Sequence, residues 1–232
     1  MSVFVFHGDK GGVGKSLVAT TFIEYLLSRG LPVALADADQ RNGDVCRLFN
    51  DVMPTIRPNL REKDGWLELA DFIDQQQATN IVLVLPANIG AEFNEERDFF
   101  YDALRGLNQT LTIFFTLNRS ADSVVLLRDL LTTNKGAAML VAVRNLYFGN
   151  EDRFVRWNES KIRSWFLEEG YKEIDFEEIL DSVIDETFLA HPPRRFTNAE
   201  LVYSKKLTLR RWLDRNFATF DTLSDYLGIG KR

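Results

Sequence analysis

The sequence predicts an α/β fold, a three-layer sandwich in which helices flank a mostly parallel central sheet. Five short, continuously apolar runs predict buried strands, and stretches of helical periodicity separate them. Strands that are apolar on both faces are typical of parallel sheets that helices cover on both sides. A glycine-rich turn follows the first run, at the edge where open α/β sheets bind ligands.

The predicted strands and helices alternate along the first two thirds of the chain. Strands are expected where apolar residues run without interruption, at residues 3–6, 33–36, 81–85, 111–117 and 138–143. Helices are expected at residues 16–28, 66–73, 93–104 and 122–131. Gly30 and Pro32 end the first predicted helix, because glycine and proline both disfavour its continuation.

The pattern is less regular in the last third of the chain. An aromatic face at residues 157–166 predicts one helix, and the two prolines at 192–193 break the chain. Residues 198–232 are predicted to be helical, with an interruption near Phe217. Because no internal repeat, low-complexity tract or linker divides the sequence, we expect residues 1–232 to form one domain.

Composition excludes several classes of protein. Hydrophobic residues at 45% and charged residues at 27% are ordinary globular values, which excludes a disordered chain. Cys46 is the only cysteine, so no internal disulfide can form, which suits a reducing compartment. No signal-peptide pattern or apolar run of membrane-spanning length is present. We therefore expect a soluble protein of the bacterial cytoplasm, with the nucleoid as a candidate location.

Charge is distributed unevenly over a chain whose net charge is −6. Seven basic and two acidic residues lie between Arg194 and Arg215, a local charge of +5. Such a segment fits a basic face for nucleic acid or an acidic partner. A solvated helix face is the simpler interpretation of so short a run, and both interpretations stay open at this point.

The most informative segment is the turn between the first strand and the first helix, HGDKGGVGKS at residues 7–16. Closely spaced glycines let backbone N–H groups point into one concavity that binds anions. Lys15 can reach a terminal phosphate, and the Ser16 hydroxyl can bind Mg²⁺. The helix that follows directs the positive end of its dipole at the same place. We therefore predict a nucleotide site here.

Two residues of this turn specify its type. The ordinary phosphate-loop pattern has glycine where this chain has Asp9, and Lys10 is the additional lysine of the deviant form Lys-Gly-Gly-x-Gly-Lys-Ser/Thr. With the Asp-Ala-Asp-Gln segment at residues 37–40 and the apolar strand before Pro86, the turn resembles the ParA/MinD superfamily of P-loop NTPases. The resemblance is specific over about the first 45 residues. It implies an ATPase that dimerises around ATP and acts as a spatial switch.

The resemblance implies a role for each residue of the turn. Lys15 would hold the phosphates, Ser16 would bind Mg²⁺, and Lys10 would reach the partner's nucleotide in an ATP-bridged homodimer. The residues expected to contact ATP in this segment are Lys10, Gly11, Gly12, Val13, Gly14, Lys15, Ser16 and Leu17.

Acidic residues after the second strand supply a candidate catalytic group. Asp39 falls where the superfamily has the acid that orients water. The expected catalytic residues are therefore Lys10, Lys15 and Asp39, and the expected metal ligands are Ser16 and Asp39. A carboxylate at the end of a strand facing a phosphate site suits that role. Asp37 is as well explained by a strand-ending turn, and Asp44 remains an alternative to Asp39.

The third strand departs from the superfamily pattern. Its members end this strand with Asp-x-Pro, whereas this chain has Val84 two residues before Pro86. No acidic residue occurs between Asp74 and Glu92. Loss of an outer carboxylate typically weakens metal affinity by about 10–100-fold. We therefore expect nucleotide binding to survive and ATP hydrolysis to be weak, dependent on a partner, or absent.

Two later residues match positions that contact the base in the superfamily. Asn145 matches an asparagine that hydrogen-bonds adenine, and a side-chain amide offers both a donor and an acceptor. Pro192 matches a segment that lies against the adenine face. A turn residue and a plain chain break are the respective alternatives.

These observations favour an ATP-dependent switch that positions DNA or a DNA–protein complex. The layout also resembles the ParA-like StbB and TraL types of conjugative plasmids, which implies a role in plasmid partition or stability. The dimer would bind DNA non-specifically, or through a DNA-binding partner protein, with a basic face formed by Lys205, Lys206, Arg210 and Arg211.

Two alternatives remain at the level of sequence. One is a nucleotide-binding scaffold without effective hydrolysis, which Val84 favours. The other is a MinD-like membrane readout through the C-terminal apolar positions. Membrane-surface helices carry lysine and arginine on the polar face, whereas this segment includes Asp214, Asp221 and Asp225. Membrane binding is therefore not expected.

Overall fold

The computed structural model describes residues 1–8, 10–134 and 136–230, in which seven strands form one sheet. All of the strand pairs are parallel, and the strand order is β3-β2-β4-β1-β5-β6-β7. The strands are β1 (Ser2–His7), β2 (Val33–Asp37), β3 (Thr55–Ile56), β4 (Asn80–Val84), β5 (Thr110–Leu117), β6 (Met139–Asn145) and β7 (Lys172–Phe176). The predicted α/β sandwich with a parallel central sheet is confirmed.

Helices connect the strands. They are α1 (Lys15–Ser28), α2 (Asp44–Phe49), α3 (Lys63–Gln75), α4 (Gly90–Gly106), α5 (Ala121–Asn134), α6 (Val155–Asn158), α7 (Lys161–Glu168), α8 (Asp181–Ile184) and α9 (Tyr203–Asp221). No helix among the described residues combines the length and apolar character needed to cross a bilayer.

Several predicted elements differ from the observed ones. The helix expected at residues 157–166 is two helices, α6 and α7, because Ser160 interrupts them and its Oγ accepts a hydrogen bond from the Arg163 N–H at 3.0 Å. Helix α9 is continuous through Phe217, so the predicted interruption there is wrong. The helix ends at Asp221, so the prediction of helix up to residue 232 is also wrong. Strands β3 and β7 were not predicted.

The sheet divides the core into two layers. Along β1, Val3 and Val5 face one layer while Phe4 and Phe6 face the other, because side chains alternate across a strand. Helices α3, α4 and α5 cover the first layer, and helices α1, α2, α8 and α9 cover the second. Burial on both faces explains why the central strands are continuously apolar.

Helices α1 and α9 pack directly against each other in the second layer. The Phe22 ring lies 5.2 Å from the Phe220 ring, and the Tyr25 ring lies 5.6 Å from the Phe217 ring, measured between centroids. The Tyr25 hydroxyl donates a hydrogen bond of 2.8 Å to Asp221 Oδ1. The helix that begins at the glycine-rich turn is therefore joined to the helix that carries most of the C-terminal basic residues.

Candidate nucleotide-binding site

The glycine-rich turn joins the carboxyl end of β1 to the start of α1. Gly12 and Gly14 have φ angles of 74° and 96°, a conformation that favours glycine. Gly14 occupies the N-cap position of α1 and supplies no side-chain cap, so backbone N–H groups of the first turn remain available to a ligand. Asp9, which distinguishes the deviant loop, lies outside the described residues. The backbone of this turn can cradle an anion.

Asn145 fixes the turn from the end of β6. Its Nδ2 donates a hydrogen bond of 2.9 Å to the Val13 carbonyl, and its Oδ1 accepts one of 3.1 Å from the Tyr147 N–H. The side chain is almost fully buried. Because an amide offers a second N–H and a second lone pair, the predicted adenine contact stays a prediction beside this structural role.

The two lysines of the turn point to different places. Lys15 is buried, and its Nζ donates a hydrogen bond of 3.2 Å to the Lys10 carbonyl, which holds the ammonium over the turn. Lys10 forms an ion pair with Asp122 in the first turn of α5 and lowers the pKa of that carboxyl. In this structure Lys10 therefore contacts its own chain.

A cavity of about 920 Å³ opens beside the turn, in the size range of ligand pockets. Gly11, Gly12, Gly14, Lys15, Ser16 and Leu17 line it from the turn. Residues after β2 and β4 border one side, and Asn145 with residues after β7 border the other. The turn therefore lies between two walls, each built from the carboxyl ends of strands.

The structure separates the three candidate acids. Asp37 is buried, and its two oxygens accept hydrogen bonds from the Asp39 N–H at 3.2 Å and the Cys46 N–H at 3.0 Å. Asp39 and Asp44 both line the cavity, and Asp37 does not. Asp44 faces Arg47, whose Nη1 donates to its Oδ1 at 3.2 Å. Asp37 therefore anchors the loop that follows β2. Asp39 Oδ1 accepts hydrogen bonds from the Arg41 and Asn42 N–H groups.

Burial has a measurable consequence for Asp37. It raises the pKa of this carboxyl from 3.8 to about 6, against the lowering effect of its two backbone hydrogen bonds. Because the folded state holds the proton more tightly than the unfolded state, the stabilisation by this group is complete below pH 4 and is lost as pH rises through 6. We expect Asp37→Asn to remove this pH dependence, which amounts to at most about 3 kcal/mol.

Urea denaturation of both proteins between pH 4 and pH 8 measures this difference. The free energy of unfolding of the wild type, relative to Asp37→Asn, should fall between pH 4 and pH 6.5 and then level off. A difference that is constant over this range would contradict the assignment.

Val84 lies in the interior of the sheet. It pairs with Asp37 of β2 and Phe6 of β1, and its side chain packs in the core layer that contains Phe6 and Phe22. Among the described residues no group of three or more His, Cys, Asp or Glu side chains is placed to hold a metal. Ser16 and Asp39 are oxygen donors at the cavity, and Mg²⁺ is commonly held by one or two protein oxygens plus substrate phosphates. The donor set fits that mode of binding.

The structure does not bring Pro192 to the cavity. Its ring is exposed, and the wall expected from it is formed instead by residues 177–189, between β7 and the two prolines. Ile179, Ile184, Phe188 and Leu189 are the apolar side chains of this wall. The two prolines at residues 192–193 therefore interrupt the chain outside the cavity. Residues 177–189 contain no sequence motif that predicts their place in the wall.

Nothing in the sequence indicated a role for the short segment after β3. In the structure this segment contacts the loops after β2 and β4, which form the other wall of the cavity. The Gln40 side chain donates to the Arg57 and Pro58 carbonyls, each at 3.0 Å, and Arg57 Nη2 donates to the Asp39 carbonyl at 2.9 Å. Arg61 donates to the Ala87 and Asn88 carbonyls of the loop after β4. We call residues 57–61 the strap.

Comparison with known proteins agrees with this geometry. Residues 4–136 match the model of the CobQ/CobB/MinD/ParA nucleotide binding domain. The chain is 31% identical to protein MobD of Acidithiobacillus ferrooxidans over 211 residues, which are 91% of this chain and 92% of that protein. The family match spans the turn and the wall formed by the loops after β2 and β4.

Two solved structures share the fold. MinD of Pyrococcus horikoshii in complex with Mg-ADP has a TM-score of 0.53 at 12% identity, over 93% of this chain and 95% of that chain. The MinC:MinD complex of Aquifex aeolicus gives a TM-score of 0.51 at 14% identity, over 94% and 96% of the two chains. At these identities the likeness shows the fold alone.

Proposed function

The chain belongs to the CobQ/CobB/MinD/ParA nucleotide-binding family, and from this premise we propose that it is an ATP-dependent dimeric switch that positions plasmid or other DNA in a bacterial cell. The observation that carries the proposal is the turn with Lys10 and Lys15 beside the cavity. ATP and Mg²⁺ are the proposed ligands, and the phosphates would lie on the N–H groups at the start of α1. The Mg-ADP in the MinD structure from Pyrococcus horikoshii supports this choice.

The proposed site assigns each residue a step. Lys15 would hold the phosphates, Ser16 and Asp39 would hold Mg²⁺, and Asp39 would also orient the attacking water. When bound, Mg²⁺ would neutralise charge on the phosphates. Asp39 is half-buried at the cavity, which leaves room for water beside its carboxylate.

Dimerisation is proposed to depend on Lys10. To reach a partner's nucleotide, Lys10 must leave Asp122, so the ion pair opposes assembly. We expect Lys10→Ala to abolish ATP-dependent dimerisation and Asp122→Asn to strengthen it about two- to fivefold, because exposed ion pairs contribute little. Sedimentation velocity with ATP and with ADP measures both effects. Asp129→Asn, on the same helix and paired with the neighbouring Arg128, is the matched control.

Equal dimerisation of wild type and Lys10→Ala would contradict this step. A weaker dimer in Asp122→Asn would show that the ion pair belongs to the assembled state.

DNA binding is proposed for the exposed side of α9. Lys206, Arg210 and Arg211 are exposed, and none of them forms an ion pair with another described residue. Lys205 and Arg215, by contrast, are paired with Glu186 and Glu177. The first three, which we call the basic stripe, can therefore meet phosphates without first losing a partner.

Replacing the three residues of the basic stripe with alanine is expected to weaken DNA retention and its dependence on salt. Each lost phosphate contact reduces the slope of log K against log salt by about 0.9, so the slope should fall by about 2–3. The matched control replaces Lys63, Arg105 and Arg128, three cations on helices of the opposite layer. Filter binding of random duplex DNA across salt concentrations, with ATP, measures the slope. Equal slopes in all three proteins would contradict the assignment.

Val84 favours a second candidate function, a nucleotide-binding scaffold without effective hydrolysis. Valine at this position leaves the end of β4 without a carboxylate. Single-turnover ATP cleavage with and without DNA separates the two candidates. Turnover that DNA stimulates and Asp39→Asn abolishes supports the switch, whereas binding and dimerisation without cleavage under either condition supports the scaffold.

A further inference from the structure

Arg61 holds the loop that follows β4. Its Nη2 donates to the Ala87 carbonyl at 2.9 Å, and its Nη1 donates to the Asn88 carbonyl at 3.2 Å and to Glu92 Oε1 at 2.7 Å. Asn88 has a φ angle of 54°, which is uncommon for a residue other than glycine. Because the guanidinium bridges two successive carbonyls and the first turn of α4, the loop has one fixed shape while Arg61 stays in place.

This loop borders the glycine-rich turn at one end. A Cβ built on Gly11 would lie 4.0 Å from the Ala87 Cβ, whereas one built on Gly14 would meet Asn145. The turn therefore runs from Asn145 to Ala87. Since Asn145 lies on the wall proposed for the base, the wall that contains Ala87 and Arg61 would face the terminal phosphate of a bound nucleotide.

Arg61 contributes a cation to this wall, which also carries Arg41 and the carboxylates of Asp39 and Asp44. Arg61 lines the cavity, and its Nε and one remaining Nη2 hydrogen have no hydrogen-bond partner among the described residues. Its ion-pair partner in the described chain is Glu92, and no acidic residue occurs between Asp74 and Glu92 in the sequence. The two carbonyls that would repel a phosphate accept hydrogen bonds from Arg61.

We propose that Arg61 makes the site distinguish a nucleoside triphosphate from a diphosphate. It is a positioning residue: it holds the loop at residues 86–89 in the shape that accepts a terminal phosphate, and it places a cation beside that phosphate. A diphosphate, bound on the N–H groups at the start of α1, would not reach this wall. The inference rests on the proposed nucleotide site and names the residue through which that site senses its ligand.

The test measures the affinities of fluorescent ATP and ADP analogues, with Mg²⁺, for wild type and variants. Arg61→Ala is expected to weaken ATP binding about tenfold or more and ADP binding less than twofold, because it loses charge-assisted hydrogen bonds near one phosphate only. Arg61→Lys keeps the charge but cannot bridge two carbonyls and a carboxylate, so an intermediate ratio is expected. Arg128→Ala is the matched control, since Arg128 and Arg61 are 48% and 47% exposed and Arg128 is remote from the cavity.

The outcomes separate this inference from the proposed function. If wild type binds neither nucleotide, the proposed function fails. If wild type binds both and Arg61→Ala weakens them equally, Arg61 only supports the fold and the inference is overturned. Should Arg61→Ala fail to fold, Glu92→Gln replaces it. This variant leaves both carbonyl contacts and removes the carboxylate that neutralises Arg61, so the preference for ATP over ADP should rise about two- to threefold. An unchanged ratio in Glu92→Gln would then overturn the inference.

Discussion

Lys15→Ala is expected to weaken nucleotide binding by about 100-fold or more. The ammonium group is buried beside the turn and already aligned by the Lys10 carbonyl, so a phosphate meets it without a cost in side-chain ordering. A charge-assisted hydrogen bond contributes about 1.5–3 kcal/mol, and the ammonium can form more than one. Calorimetric titration with Mg-ATP measures the change.

Lys10→Ala is the matched control for this prediction. Both variants remove one lysine from the same turn, yet Lys10 contacts Asp122 and is not among the residues that line the cavity. Affinity for ATP should therefore change less than about threefold in Lys10→Ala under dilute, monomeric conditions. If Lys15→Ala binds ATP as tightly as wild type, the nucleotide site is elsewhere.

Gly14→Ala is expected to destabilise the protein by about 2–5 kcal/mol and to abolish nucleotide binding. The new Cβ would lie 2.3 Å from Asn145 Nδ2, closer than any real contact of this kind, and the φ angle of 96° strains every residue except glycine. Relief of the clash requires Asn145 to leave the Val13 carbonyl, which frees the turn. Thermal unfolding and ATP titration measure the two effects.

A double variant tests the cause. Asn145→Ala removes the atom that the new Cβ would meet, so Gly14→Ala should cost about 1–3 kcal/mol less in that background. The remaining cost comes from the backbone conformation, which Asn145→Ala does not relieve. Strictly additive effects of the two substitutions would show that the clash is not the cause. Gly12→Ala is the control, because Gly12 also has a positive φ but nothing lies within 4 Å of its Cβ position.

The features predicted from sequence are those encoded over short distances. Continuously apolar runs indicated the buried strands of a parallel sheet, and the spacing of glycines and lysines indicated the turn between β1 and α1. Strand β7 was missed because it is a half-exposed edge strand, in which Ile174 and Phe176 alternate with charged residues. That alternation is itself a strand signal, masked by the strength of the continuous runs elsewhere.

The parts of the site that sequence did not predict depend on distant contacts. Asn145 braces Val13 across 132 positions of the chain, and Arg61 reaches Asn88 across 27. Nothing in the sequence of residues 57–61 indicates which groups their side chains contact, so the role of the strap could not be predicted from a single sequence. Asp37 was separated from Asp39 only by burial, which depends on how β2 sits in the sheet.

The packing of α1 against α9 gives the two proposed ligands a mechanical connection. Helix α1 starts at the proposed phosphate site, while its middle carries Glu24, whose carboxylate accepts two hydrogen bonds, of 3.0 and 2.9 Å, from the Arg195 guanidinium. Phe22 and Tyr25 of the same helix pack against the aromatic rings at the end of α9. We therefore expect a tilt of α1 on phosphate binding to move the end of α9 and, with it, the basic stripe.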